Sequence, residues 1–409
     1  MPRSTHTTGP RFDVHHDAAS RCPNCEHQGL TIFYEVDGIP CHSMILLDSA
    51  KEASDYHTGD LRLGFCESCG FITNTRYDIA NSEYSQRFEE SQGFSATFNK
   101  FARELAKRYA DRYDLAGDKV ALEIGCGKGE WLCALCEESG GRGIGIDPGY
   151  TPSRLTSPAA DRIEWIIDFY GPKFAHLQAD FIACRHTLEH IQPTLEFMRS
   201  IRATIGDRTD TILFFELPEV LRELEEGAFW DMYYEHCTYF SPGSLARLFR
   251  KAGFDVTHLS VEYANQYIIL DAVPSDTETK PRLPLEDDMA RLRAGVKTFG
   301  ETASRVARHW SDTIRAAHAR GEKTVVWGSG SKGVSFLTTL GLRDEVACVV
   351  DINTFRQGKF MAGSGHEIVG PEALTRVRPD HIVIMNPIYV PEISEQVRSM
   401  GLSPRIVAV

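Results

Sequence analysis

The chain has 409 residues, 42% hydrophobic and 25% charged, the composition of an ordinary soluble protein long enough for two or three domains. A net charge of -13 disfavours a nucleic-acid partner, because phosphate backbones reward basic surfaces through counterion release. Neither MPRSTHTTGPRFDVHH at the amino terminus nor any later stretch supplies the apolar run of a signal peptide or membrane span, so a cytoplasmic location is expected.

Eleven cysteines, an odd number, point to thiols or metal rather than to a disulfide framework. Cys22-Pro-Asn-Cys25 and Cys66-Glu-Ser-Cys69 are two C-x2-C knuckles separated by strand-like runs, TIFYEV and LRLGFC. Each knuckle presents two thiolates on a tight turn, and two knuckles complete a tetrahedral zinc site. Such a closed site is structural, and residues 1–85 are expected to form a zinc-binding module. Cys133 and Cys136 have no second pair. Cys41, Cys126, Cys184, Cys237 and Cys348 read as small packing residues. From Tyr77 to about Ala116 the apolar spacing approaches that of a helix.

Residues 119–147 have the clearest pattern in the chain. A short apolar run, Val120 to Ile124, stops at Gly125, Gly127 and Gly129. A helical stretch and a second apolar run follow, ending on Asp147. Strand, glycine turn, helix, strand and acid is how a parallel α/β sheet binds a nucleoside, with the acid reaching the ribose. With Glu123 in front, the E-x-G-x-G-x-G form resembles motif I of class I S-adenosylmethionine (SAM) methyltransferases. That resemblance assigns Glu123, Gly125, Gly127 and Gly129 to the methionine half of SAM and Asp147 to its ribose. It assigns Asp168 and Phe169, at the end of RIEWIIDFY, to the adenine.

Residues 86–275 are expected to form a Rossmann-like seven-stranded sheet, whose ligands sit beyond the carboxyl ends of the strands. The loop after Cys184 reads His186-Thr-Leu-Glu189-His190. Its zinc-protease spelling is set aside because that motif needs a helix and a distant acid ligand. His190 instead stands beside the methyl donor, as a group to polarise or deprotonate substrate. FWDMYYEHCTYFS, residues 229–241, packs aromatics around Asp231, Glu235 and His236. Aromatic walls with an acid and an imidazole suit an active-site loop.

Read in order, the four-cysteine module, the SAM domain and the Y-x-E-H run resemble the three-domain C-methyltransferases of deoxysugar biosynthesis. The resemblance extends through VVWGSGSKG, VVDINTFRQGKF and HEIVGPEAL near the carboxyl end. It implies methylation of a nucleotide-linked 4-keto sugar at the carbon α to the ketone, with Tyr233, Glu235, His236 and His190 at the sugar. His236 would remove the α proton, and His190 and Tyr233 would stabilise the enolate. Two stretches depart from the family. Asn265-Gln266-Tyr267-Ile268 replaces a G-G-S-[LM]-R run, and a substrate-facing tyrosine has no clear match in EYSQRFEESQGFS. Both departures fall on substrate contacts, not on SAM.

Residues 276–320 form a polar, proline-bearing linker and a connecting helix from about Met289 to Arg320. Residues 321–409 form a second, smaller Rossmann-like α/β domain with a glycine turn at Gly328, Gly330 and Gly333 and an acid at Asp351. Alone, that turn suggests NAD, but the domain lacks room for two nucleotide halves. Lys332 is a candidate phosphate contact. The expected cofactors are SAM and structural Zn2+, and the expected partner is a small-molecule acceptor, with no nucleic acid and no membrane. Competing readings are a methyltransferase acting at C, N or O of another metabolite, an RNA methyltransferase, and a silent scaffold.

Overall fold

The computed structural model describes residues 9–82 and 84–409. Residues 1–8 of the amino-terminal stretch, and Glu83, lie outside the described residues. Three sheets organise the chain. The first is antiparallel and begins with β1 (His15–Arg21), β2 (Gln28–Pro40), β3 (Thr58–Phe65) and β4 (Ile72–Asn74), with helix α1 (Ala50–Ser54) between β2 and β3.

The middle domain comprises α2 (Ala96–Arg112), β5 (Val120–Ile124), α3 (Glu130–Ser139), β6 (Arg142–Ile146), β7 (Ile163–Ile166), β8 (Phe181–Arg185), α4 (Thr194–Ile205), β9 (Ile212–Pro218), α5 (Val220–Glu226), β10 (Thr238–Tyr239), α6 (Pro242–Lys251), β11 (Phe254–Glu262) and β12 (Tyr267–Pro274). Seven of these strands form a sheet in the order β11-β12-β9-β8-β5-β6-β7. Strands β5 to β9 run parallel and the β11–β12 hairpin closes the edge antiparallel. The expected α/β architecture is thus present.

Strand β10 leaves that sheet. Thr238 and Tyr239 pair with Thr73 and Ile72 of β4, so the middle domain lends a strand to the amino-terminal sheet. Nothing in a two-residue strand signals its partner, and this pairing ties the first sheet to the middle of the chain.

The expected helix from Tyr77 to Ala116 is shorter in the structure. It starts at Ala96, where the Ser95 side chain accepts a hydrogen bond from Phe98 N–H. Residues upstream spend their backbone on tertiary bonds instead: Leu46 N donates to Arg87 O at 3.0 Å and Glu89 N to Met44 O at 2.9 Å. Periodicity alone does not reveal that competition.

Helix α7 (Met289–Ala319) crosses to the last domain. Its buried Leu292, Val296, Phe299 and Ala303 recur at helical spacing. Phe299 packs edge-on against Phe33 and Tyr34 of β2 at 5.8 and 5.3 Å. Each large apolar side chain so buried contributes about 1.5–3 kcal/mol. The last domain contains β13 (Thr324–Trp327), α8 (Ser331–Leu340), β14 (Val346–Val350), β15 (Ile368–Val369), α9 (Leu374–Val377), β16 (His381–Ile384), α10 (Val390–Ser399) and β17 (Arg405–Ala408). Its sheet is parallel, ordered β15-β14-β13-β16-β17. One apolar core runs through all three domains and includes Phe33, Leu224, Phe229, Phe299, Trp310 and Phe336. No helix among the described residues is long and apolar enough to cross a membrane.

Candidate active site

A cavity of about 1240 Å³ opens where the three domains meet. One end is the glycine turn after β5. Gly125, Gly127 and Gly129 have φ of 71°, 54° and 85°, a region that glycine enters without steric cost. A Cβ on Gly125 would fall inside the Thr187 side chain, and one on Gly129 would stand 2.5 Å from Trp165. The turn therefore needs glycine twice over. Asp147, at the end of β6, accepts from Gly127 N at 2.9 Å and from Gly149 N at 2.6 Å, and burial raises its pKa. Glu123 is buried beneath the turn, with Oε2 lacking a partner among the described residues and a pKa pushed up to about 7 by burial. The orphaned buried oxygen of Glu123, the open glycine cradle and the buried carboxylate of Asp147 fit a nucleoside cofactor such as SAM. Lys128 adds a link that sequence did not suggest. Its buried ammonium donates to Phe88 O at 2.9 Å and Gly149 O at 2.8 Å, pinning the 77–95 segment across the turn. Asp168 and Phe169 also line the cavity. Asp168 pairs with Lys173, and Phe169 is 57% exposed.

The H-x-x-E-H letters do not form a helix of the protease kind. His186 takes a left-handed φ of 47°, and only Leu188–His190 make a short 3-10 turn. The bend brings Thr187 over Gly125 and turns His190 into the cavity. The Nδ1 of His190 bonds to the backbone oxygen of Glu235 at 2.9 Å. A carbonyl only accepts, so Nδ1 carries the hydrogen, and Nε2 is the nitrogen that faces away from that bond.

The aromatic run divides into two tasks. Phe229 and Trp230 pack against Phe336 of α8 at 6.1 and 6.4 Å, bonding the middle domain to the last. Tyr233, Glu235 and His236 line the cavity. His236 is buried, its Nε2 lies 3.0 Å from the Tyr233 hydroxyl, and its ring centre is 4.9 Å from that of His190. Burial, reinforced by His190, lowers its pKa to about 3, so the imidazole is neutral.

Glu235 is held by residues that sequence reasoning missed. His42 Nδ1 lies 2.6 Å from Oε2, and Ser43 donates both its backbone N–H and its hydroxyl to the carboxylate. Ser331, first residue of α8, donates from 3.0 Å. Burial disfavours the charge of Glu235, yet these bonds, led by that of His42, outweigh it and hold the pKa at about 2. The carboxylate also meets the electropositive start of α8. The second glycine turn thus faces a carboxylate of this same chain. Lys332, expected to meet a phosphate, pairs with Asp231 at 2.8 Å. Asp351 repeats the Asp147 arrangement, accepting from Ser329 N and Asn353 N at 2.8 Å each.

Tyr84 stands between His42 and His190, ring centres 5.2 and 5.7 Å away, with a buried hydroxyl that has no partner among the described residues. Gln266 and Asn386 exchange amide bonds of 3.1 and 2.9 Å between the β11–β12 hairpin and the last domain. Away from the cavity, Cys22, Cys25, Cys66 and Cys69 bring their sulfurs together, 3.7 Å between Cys22 and Cys69 and 3.6 Å between Cys25 and Cys66. Sulfurs about 2.3 Å from a common zinc stand roughly 3.8 Å apart, so the residues fit the metal.

A methyltransferase-domain family matches residues 96–259, and a C-methyltransferase C-terminal-domain family matches residues 285–403. The C-methyltransferase NovU of Streptomyces niveus is 28% identical over 364 residues, 85% of each chain. The two matched families and this relative make the chain similar to the SAM-dependent C-methyltransferases and support methyltransferase activity. The methyltransferase also shows weaker likeness to solved structures. The 1,6-didemethyltoxoflavin-N1-methyltransferase of Burkholderia thailandensis, with S-adenosylhomocysteine bound, is 17% identical, with 45% of this chain and 83% of that one covered and a TM-score of 0.35. The mitomycin 7-O-methyltransferase MmcR is 20% identical, with 44% and 55% covered and a TM-score of 0.34.

Proposed function

We propose that this methyltransferase acts on the carbon α to the ketone of a nucleotide-linked keto-deoxysugar, through an enolate. The observation that carries the reading is the shared cavity. It joins the glycine turn and Asp147 to His190, Tyr233 and His236, and the last domain forms a further wall. The likeness to a C-methyltransferase over 85% of the chain supports carbon as the methylated atom.

Glu123, the glycine turn and Asp147 are the proposed contacts to SAM, with Asp168 and Phe169 toward its adenine. Bound there, SAM supplies an electrophilic methyl group. The remaining tasks fall to the chain. His236 donates from Nε2 to the Tyr233 oxygen, which leaves its Nδ1 lone pair to take the α proton. Tyr233 then donates its own hydrogen to the enolate oxygen. His190, a donor in the sequence reading, offers a lone pair at Nε2 when neutral, so the donor task passes to Tyr233. Tyr84 has a hydroxyl free to meet the acceptor. Glu235 anchors the two histidines rather than touching the sugar. The four cysteines are the proposed ligands of a structural zinc. The Gln266–Asn386 clasp occupies a stretch that departs from the deoxysugar pattern, and favours an acceptor differing in detail from those of its relatives.

A thermal-shift panel tests the acceptor class: S-adenosylhomocysteine alone, then with dTDP, UDP, GDP or CDP. A ligand that binds only the folded state raises stability with its saturation, so one nucleotide is expected to add a further rise. If none does, the nucleotide-sugar reading falls. Replacing His236→Asn is expected to abolish turnover and leave S-adenosylhomocysteine affinity within about twofold, a difference of roughly 0.4 kcal/mol. A fully active variant would remove His236 as the base.

A further inference from the structure

The turn that presents His190 also carries a group that methyl transfer does not use. Glu189 is 2% exposed, lines the cavity, and has a carboxylate oxygen, Oε2, without a hydrogen-bond partner among the described residues. The Nδ1 of His186 lies 3.7 Å from the other oxygen. Buried polar atoms are ordinarily satisfied, and an orphaned carboxylate oxygen in a cavity wall calls for a partner.

The carboxylate of Glu189 and one nitrogen each of His190 and His236 lie within 4.8 Å of one another. One nitrogen of each ring is engaged, His190 Nδ1 with the Glu235 carbonyl at 2.9 Å and His236 Nε2 with the Tyr233 hydroxyl at 3.0 Å, which leaves His190 Nε2 and His236 Nδ1 as the candidate ligand atoms. That is how metal-ligating histidines are oriented, one nitrogen held by an outer partner and the other left as a lone pair. Two imidazoles and one carboxylate suit the borderline ions Zn2+, Co2+ and Ni2+, whereas Mg2+ and Ca2+ favour oxygen donors alone. Donors about 2.1 Å from a common ion stand roughly 3.4 Å apart in a tetrahedron. Binding an ion draws the three donors together from within 4.8 Å to that spacing.

We propose that Glu189, His190 and His236 form a site for a divalent transition-metal ion inside the acceptor pocket, separate from the four-cysteine cluster, and that an ion bound there excludes turnover. Three protein ligands leave a coordination position open to the cavity. The ion takes the His236 lone pair that the α proton requires, and it occupies space the acceptor needs. This inhibitory consequence rests on the proton-accepting role of His236 proposed above; the metal site itself does not.

The test is a Co2+ titration of the zinc-loaded enzyme, freed of loosely held metal on a mild chelating resin. Weak ligand-field absorption without thiolate-to-cobalt charge transfer is the expected signature of nitrogen and oxygen ligands. Co2+ is expected to inhibit methyl transfer in competition with the acceptor and not with SAM. Glu189→Gln and His190→Asn are each expected to weaken Co2+ binding at least tenfold while S-adenosylhomocysteine binding, the check on folding, persists. Absence of the absorption, its survival in both variants, or a rise in methyl transfer with Co2+ would overturn the proposal. Cobalt absorption is read without turnover, so binding in an enzyme that methylates no keto sugar would sink the acceptor reading and leave the metal site standing.

Discussion

Glu235 accepts four hydrogen bonds, from His42, from the backbone and hydroxyl of Ser43, and from Ser331, and its side chain is buried in the cavity wall. A carboxylate has about four acceptor positions, so none remains for an acceptor molecule. What Glu235 offers the chemistry is its backbone, whose carbonyl fixes His190 and whose chain neighbour is His236. Removing a donor from a buried carboxylate leaves part of its charge unsatisfied, at a cost of about 1–3 kcal/mol or more. His42→Ala is therefore expected to lower the melting temperature and reduce kcat at least tenfold, with KM for SAM unchanged. A variant whose kcat stays at the wild-type value would show that the clasp does not position the histidines. His42 and Ser43 lie 193 and 192 residues from Glu235. No spacing rule reaches that far, which is why the Y-x-E-H run was legible as a site while the residues that hold it were not.

At the scale of elements, legibility follows the range of the interactions. Strand β5, the glycine turn, α3, β6 and Asp147 are specified by neighbours within one stretch of chain, and the sequence pattern alone places them. The segment before Ala96 has helical spacing but surrenders its backbone to Met44 and Leu46, and β10 pairs with a strand from another sheet. Both outcomes depend on tertiary contacts that a window of sequence does not contain. The turn also allows a sharp expectation. Gly125→Ala would place a methyl group inside the Thr187 side chain and force a left-handed φ on a residue with a Cβ. The conformational part alone costs about 1–2 kcal/mol. Because Thr187 leads into the turn carrying His190, the clash displaces both ends of the site. Calorimetric titration is expected to show S-adenosylhomocysteine affinity reduced at least tenfold; wild-type affinity would mean that the cofactor does not depend on this turn.

For the molecule as a whole, the question is why a four-cysteine module is joined to a methyltransferase. The knuckle Cys66–Cys69 lies between β3 and β4, β4 pairs with β10, and β10 begins two residues after His236. The cluster is also tied to helices α6 and α7, through Arg247 to Cys69 O at 2.8 Å, Lys251 to Cys25 O at 2.6 Å, and Arg293 to Glu67 at 2.8 Å. The module thus acts as a brace on the segment that presents Tyr233 and His236, and strand β2 leads into His42 and Ser43 on the same carboxylate. The glycine turn follows β5 in the seven-stranded sheet and makes its hydrogen bonds to Ile146, Asp147, Phe88, Gly149 and Thr187 rather than to the knuckles, whose cysteines meet β5 and β6 only through apolar packing. Removing metal with a strong chelator under reducing conditions is therefore expected to abolish methyl transfer while S-adenosylhomocysteine still binds, and Zn2+ at one equivalent is expected to restore turnover. Two readouts separate the outcomes. Parallel loss of binding and turnover would mean that the cluster supports the whole fold. Full turnover in metal-free enzyme would mean that the module does not brace the site.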